Sequence, residues 1–295
     1  MNSFDLHMHS MYSGDGQFSP KELIDIADKK GLKIISLTDH DAVKGVKEIT
    51  ELGKEKGIRV ITGIECSTIL EGNDVHLLGY GIDIENSYFV NLADRLNKLM
   101  YDAFYLRVEK IQNKYGIELD ADELIEASHG KNPWFLMWTR IFNDPRYQGI
   151  EDFKDYIPGG KRSDPAPVNF FWDKCQAGSD LYVYVENPSF EDSVKKIHEA
   201  GGIAVVAHPF KTFYHKKDLL QKALDAGIDG VEVFSNYHAP EHIEYYEKFA
   251  KKHNLLITCG SDFHGEKKPS IEMGSYGLEK DGSEYINRFL KALEE

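Results

Sequence analysis

Short apolar runs rich in β-branched residues recur along the chain, and most are separated by stretches with the periodicity of amphipathic helices. They predict seven strands, at residues 4–9, 33–38, 58–62, 75–80, 203–207, 230–235 and 255–259. Ser19, Pro20 and Glu22 combine an N-cap, a first-turn proline and a capping box, which predict the start of an intervening helix. Strands that alternate with helices in this way are typical of parallel β-α units.

The region 88–185 departs from this alternation. Its start predicts a long helix, because large apolar residues recur there mostly every three to five positions. A second helix is predicted at 122–128, followed by a segment rich in Trp and Phe at 134–142 and by loops that contain Gly and Pro. We therefore predict a main domain of residues 1–87 and 186–295 that carries this region as a mainly helical insertion.

Histidines and carboxylates lie at or just beyond the carboxyl ends of several predicted strands. His7 and His9 are two residues apart in the first strand, so their imidazoles share one face. A single His-x-His motif is also compatible with two partly buried histidines. Here, however, four other segments carry histidines or carboxylates at similar positions. The residues of these four clusters are Asp39, His40, Asp41, Glu65, His208, Asp262 and His264. Asp15 follows the two histidines of the first strand, and His76 lies inside or near the start of its strand. Because strand ends meet at one face of a β/α barrel, the clusters together predict a metal site.

Six motifs follow one another in a defined order. They are His7-x-His9, Thr38-Asp39-His40, Glu65, His76, Ala207-His208-Pro209 and Gly260-Ser261-Asp262-Phe263-His264. This ordered set resembles the motifs of the PHP (polymerase and histidinol phosphatase) family of metal-dependent phosphoesterases. The resemblance implies the α/β class and a distorted (β/α)7 barrel with a mainly helical inserted domain. It also implies two to three divalent ions, of manganese, iron or zinc, which mixed imidazole and carboxylate ligands suit.

The family's metal pattern transfers onto nine positions of this sequence. It implies one ion at His7, His9, Glu65 and Asp262, a second at Glu65, His76 and His208, and a third at Asp15, His40 and His264. The residues assigned to the catalytic step are Glu65, His208, Asp262 and His264. In that step, a hydroxide that bridges the metals attacks phosphorus. Asp39 and Asp41 are assigned to orient His40 or neighbouring ligands, although Asp41 is equally well interpreted as a helix N-cap.

Cationic residues and one further histidine are candidates for binding the phosphate of a substrate. They are Lys211, Arg140, Arg162 and His238, and for each of the three cations a solvated surface charge is the alternative. The resemblance implies hydrolysis of a small phosphorylated metabolite, in particular a nucleotide monoester such as a nucleoside 3′,5′-bisphosphate. Two alternatives stay open: hydrolysis of a cyclic phosphodiester or a short oligonucleotide end, and a non-catalytic metal-binding barrel.

Charge and composition narrow the range of partners. The formal net charge is −14, which disfavours long nucleic acid and anionic membranes but allows a small phosphorylated substrate. No apolar run is long enough to span a bilayer, and the first residues do not resemble a signal peptide, so we expect a cytoplasmic protein. Three scattered cysteines without C-x-x-C spacing favour buried thiols over disulfides or a thiolate zinc site.

Overall fold

A computed structural model describes residues 3–129, 132–176, 178–214 and 216–295, apart from the side chain of Lys211. The chain forms two compact units. One consists of Met1–Ala93 and Asn187–Glu295, and the other of Asp94–Glu186. None of the helices in the described part of the chain has the length and apolarity needed to cross a membrane.

A seven-stranded sheet in strand order forms the first unit. The strands are β1 (Phe4–Asp5), β2 (Ile34–Leu37), β3 (Arg59–Leu70), β4 (Asn73–Tyr80), β5 (Ile203–Val206), β6 (Gly230–Phe234) and β7 (Leu256–Cys259). Beyond β1 the chain approaches the other edge, where Leu6 N–H donates to the Cys259 carbonyl and Met8 bridges to Phe263. The sheet is thus a nearly closed, distorted barrel, which confirms the predicted α/β fold.

The direction of β4 corrects the expectation of uniformly parallel strands. This strand pairs antiparallel with both β3 and β5. The prediction ended the third strand at residue 62, but β3 continues to Leu70 and turns back through Glu71 and Gly72, whose φ angles are +49° and +74°. Two residues of positive φ are typical of a tight hairpin turn. The amino-terminal half of β4, with His76, therefore lies beside the carboxyl ends of its neighbours.

Twelve α-helices are described along the chain. They are α1 (Pro20–Lys29), α2 (Val46–Lys56), α3 (Ser87–Val90), α4 (Leu92–Tyr115), α5 (Ala121–Ala127), α6 (Pro133–Asn143), α7 (Ala166–Lys174), α8 (Phe190–Glu199), α9 (Phe210–Phe213), α10 (Lys217–Asp225), α11 (Pro240–Lys252) and α12 (Ser283–Ala292). The signals that predict the start of α1 act as expected, because Ser19 and Glu22 form the reciprocal capping box there.

Each unit buries its own apolar residues. In the barrel, all four side chains of β5 are buried, which explains why this strand lacks the alternation of a half-exposed strand. In the Asp94–Glu186 unit, aromatic rings surround Trp138, and the Phe170 ring centroid lies 4.1 Å from the Trp138 centroid. The three cysteines are buried thiols.

Candidate metal centre

The extended segment after β1 carries the two histidines of the His-x-His motif to one end of the barrel. Leu6 and Met8 on either side of His7 are buried in the core, so the two imidazoles point the other way. The Nε2 atoms of His7 and His9 lie 3.1 Å apart. Gly260 allows this segment to approach β7, since a Cβ at that position would lie 2.2 Å from the Cβ of His7.

Four of the predicted ligands form one compact group: His7, His9, Glu65 and Asp262. Asp262 Oδ1 lies 3.3 Å from His7 Nε2 and 3.0 Å from His9 Nε2. Glu65 Oε2 is 3.1 Å from each of these two nitrogens. Ligand atoms around a tetrahedral ion are separated by about 3.3 Å, which is close to this spacing. Asp262 Oδ1 is buried and finds no hydrogen-bond partner in the described chain, as expected for an atom that faces a cation.

Glu65 joins this group to a second one. Its other oxygen, Oε1, lies 3.0 Å from His76 Nδ1 and 3.0 Å from His208 Nε2. The two carboxylate oxygens thus face different sets of imidazoles. Burial raises the pKa of Glu65, but the surrounding imidazoles together outweigh burial and hold that pKa well below its usual range. The carboxylate is therefore ionised and available to two cations.

A third group lies beside the first. His264 Nε2 is 3.0 Å and His40 Nε2 is 3.6 Å from Asp15 Oδ2, and a ligand atom of His9 lies in the same cluster. His40 also faces Glu65, with 3.4 Å between its Nδ1 and Oε2, so its ring borders two groups. Burial lowers the pKa of His40 to about 3, which leaves the ring neutral. The structure therefore brings all nine predicted ligands to one end of the barrel, but places His9 and His40 between groups.

Backbone strain also occurs at this end of the barrel. His208 and Asp262, which follow β5 and β7, have φ angles of +25° and +57°. Positive φ is uncommon for residues other than glycine and persists where the surroundings enforce it. Here the Asp262 N–H donates to the His7 carbonyl at 2.9 Å, and the His208 N–H donates to a glutamate carboxylate at 2.8 Å.

That glutamate is Glu232 of β6, which belongs to none of the motifs recognised in the sequence. One of its oxygens lies 2.8 Å from His7 Nδ1, and the other accepts the hydrogen bond from the His208 backbone. The side chain is fully buried. An acidic residue inside the apolar run Val231-Glu232-Val233 is the signal that was available, because strand interiors seldom bury a carboxylate without a partner.

Asp39 and Asp41 contact the segments next to the ligands and not the ligand side chains themselves. Asp39 accepts hydrogen bonds from the backbone and hydroxyl of Ser10, at 2.5 and 2.6 Å, and so fixes the segment after His9. Asp41 accepts from the backbone and hydroxyl of Ser67, at 2.8 and 2.7 Å. These contacts contradict the alternative that Asp41 caps a helix, since α2 begins after Gly45. Burial raises the pKa of both Asp39 and Asp41 to about 6.

Three of the four side chains proposed to bind phosphate contact other partners. Both ring nitrogens of His238 contact the backbone: Nδ1 is 2.7 Å from the Val233 carbonyl, and Nε2 accepts from Phe210 N–H. Neither nitrogen therefore remains for a phosphate oxygen. In the Asp94–Glu186 unit, Arg140 pairs with Glu123 at 2.6 Å and Arg162 pairs with Asp173 at 2.6 Å. The side chain of Lys211 lies outside the described residues.

Comparisons with known proteins agree with this architecture. The PHP domain family matches residues 5–200. A 3′,5′-nucleoside bisphosphate phosphatase of Chromobacterium violaceum is 30% identical over 93% of this chain and 91% of that protein. A 5′-3′ exoribonuclease of Haemophilus influenzae is 29% identical, over 88% and 89%. A solved structure of an amidohydrolase from Chromobacterium violaceum, with bound sulfate and no metal, is 26% identical, with a TM-score of 0.74 over 99% and 96%.

Proposed function

Because the chain belongs to the PHP domain family, we propose that it is a metal-dependent phosphoesterase that removes phosphate from a nucleotide monoester, in particular a nucleoside 3′,5′-bisphosphate. The observation that carries the proposal is the position of Glu65. Its two carboxylate oxygens face two different sets of imidazole nitrogens, at distances of 3.0–3.1 Å that suit ligands of shared metal ions. Two to three divalent ions of manganese, iron or zinc suit such ligands.

The buried groups of this chain support the proposed chemistry. His7, His9, Glu65 and Asp262 would hold one ion, Glu65 with His76 and His208 a second, and Asp15, His40 and His264 a third. Divalent ions held there would supply an acidified water and neutralise the charge of a phosphate. Glu232 orients His7 through Nδ1, and this leaves Nε2 directed into the centre. Asp39 fixes the position of His9 through the Ser10 backbone.

The nature of the substrate rests on the relatives. The bisphosphate phosphatase of Chromobacterium violaceum covers nearly the whole chain, which favours a nucleotide monoester. The structurally similar amidohydrolase contains sulfate, an anion of the same shape as the phosphate group that would be removed. The formal charge of −14 fits a small substrate better than a long polyanion.

A phosphate-release assay tests this proposal. The protein, stripped of metal and then supplied with Mn²⁺, is offered p-nitrophenyl phosphate, adenosine 3′,5′-bisphosphate and bis-p-nitrophenyl phosphate. We expect metal-dependent release of phosphate from the two monoesters, loss of that release in His9→Ala, and retention in His253→Ala, which lies outside the ligand groups. Hydrolysis of the diester alone would contradict a monoesterase, and inertness towards all three would contradict the proposed function.

A second candidate is exonucleolytic cleavage of short RNA, which the exoribonuclease of Haemophilus influenzae favours. The same centre would then act on a phosphodiester at the end of a strand. A short 5′-phosphorylated RNA added to the assay separates the two candidates. Release of mononucleotides faster than phosphate from the bisphosphate would favour the exonuclease.

A further inference from the structure

The two oxygens of the Asp262 carboxylate have different surroundings. Oδ1 faces the Nε2 atoms of His7 and His9, as described above, and is also 3.5 Å from His264 Nδ1. Oδ2 accepts hydrogen bonds from Lys268 Nζ, at 2.8 Å, and from the hydroxyl of Tyr237. The carboxylate is therefore held on one side by two donors and is directed with the other side towards the imidazoles.

Lys268 and Tyr237 form one network with that oxygen. Lys268 Nζ donates to the Tyr237 hydroxyl at 2.9 Å, and the hydroxyl in turn donates to Asp262. A hydroxyl can accept one hydrogen bond while it donates another, so the three groups satisfy each other in a consistent direction. The Tyr237 ring also packs edge-on against His208, with 5.5 Å between ring centroids.

The network determines how Asp262 can bind a cation. With Oδ2 occupied by a charged and a neutral donor, only Oδ1 is available as a ligand. The backbone of Asp262, with its positive φ and its hydrogen bond to His7, fixes the other end of the residue. A side chain that is restrained at both ends loses little freedom when a metal binds, and this favours affinity.

We infer that Lys268 and Tyr237 are positioning residues that keep Asp262 a ligand through Oδ1 alone. The inference rests on the proposed function, because it concerns the same centre. Two opposing effects make it testable. The Lys268 ammonium repels a cation nearby and so weakens binding, whereas its restraint of Asp262 strengthens binding. The Tyr237 hydroxyl contributes restraint without charge.

Titration calorimetry with Mn²⁺ on the metal-stripped protein tests the inference. The variants are Lys268→Met, Tyr237→Phe and the double variant, with Lys248→Met, which removes a surface lysine of α11, as the matched control. We expect each single variant to weaken the tightest site by about 10–100-fold. The double variant should bind Mn²⁺ no more weakly than the weaker-binding of the two single variants, because both residues act through one oxygen. The control should bind like the wild-type protein.

Three outcomes would overturn the inference: single variants that bind Mn²⁺ like the wild type, tighter binding by Lys268→Met, or losses that add in the double variant. Tyr237→Phe keeps the aromatic ring, and circular dichroism of each metal-free variant checks that it is folded. A wild-type protein that binds no Mn²⁺ would instead contradict the proposed function. A wild type that binds Mn²⁺ beside unaffected variants would contradict only the positioning role.

Discussion

Single residues around the ligands decide how well the centre is organised, and Glu232 is the strongest example. It contacts the ring of His7 and the backbone of His208, which lie on two different segments. We predict that Glu232→Gln lowers metal affinity or kcat/KM by about 10–100-fold, since an amide is a weaker partner for the imidazole N–H. Mn²⁺ titration and phosphate release measure the loss. Glu55→Gln, an exposed change on α2, is the control, and equal behaviour of the two variants would contradict the role of Glu232.

The ligands themselves could be predicted from the sequence, but several of the residues that hold them could not. His7, Glu65 and Asp262 belong to recognisable motifs, so their positions were available before the structure. Glu232 and Lys268 belong to no such motif. Glu232 lies 225 positions from His7 along the chain, and only the folded barrel places the two side chains 2.8 Å apart.

At the scale of elements, the alternation of apolar runs predicted the number and order of the strands, but not the direction of β4. The reversal depends on the two-residue turn Glu71-Gly72, which joins the end of β3 to the start of β4. A periodic pattern gives the face of a strand and not its partner, so the hairpin was not predicted. The reversal in turn explains how His76, near the start of its strand, reaches the centre.

The same turn provides a test of this hairpin. Gly72 has a φ angle of +74°, and an L-amino acid with a Cβ is strained in that region. We predict that Gly72→Ala lowers the free energy of unfolding by about 1–2 kcal/mol, measured by urea denaturation. Gly149→Ala, at a position where a Cβ meets no atom within 4 Å, is the control. An unchanged midpoint in Gly72→Ala would contradict a strained turn.

Glu247 links helices α11 and α12 through the Tyr285 hydroxyl and also contacts two lysines. It accepts hydrogen bonds from Tyr285, Lys251 and Lys280. Burial raises the pKa of Glu247, but these donors outweigh burial and lower that pKa to about 2. Because the pKa is lower in the folded chain, the stabilisation is present above the usual glutamate pKa of about 4.3, and is lost as the pH falls towards about 2.

We therefore predict that Glu247→Gln costs about 1–2 kcal/mol of unfolding free energy at neutral pH, a figure reduced for partial exposure of the carboxylate. The difference from wild type should shrink as the pH falls below about 4.3. Urea denaturation of both proteins across this range measures it. A difference that is constant with pH, or that grows in acid, would contradict stabilisation by the ionised Glu247 carboxylate.

At the scale of the molecule, the nine ligands all belong to the unit formed by Met1–Ala93 and Asn187–Glu295, so metal binding should stabilise that unit. An ion that binds only the folded chain adds about 2.7 kcal/mol at 100 times its Kd. We predict that Mn²⁺ at that level raises the Tm of this unit by about 5–10 °C. Differential scanning calorimetry, with and without a chelator, measures the shift.

The location of the ligands makes the stabilisation selective. If metal stabilises the folded barrel through the clustered ligands, His7→Ala should lose most of the shift in Tm, and His253→Ala at the end of α11 should keep it. A transition that belongs to the Asp94–Glu186 unit should keep its Tm, since none of the nine ligands lies there. A full shift in His7→Ala would mean that Mn²⁺ stabilises the chain from elsewhere, and would separate stability from the proposed centre.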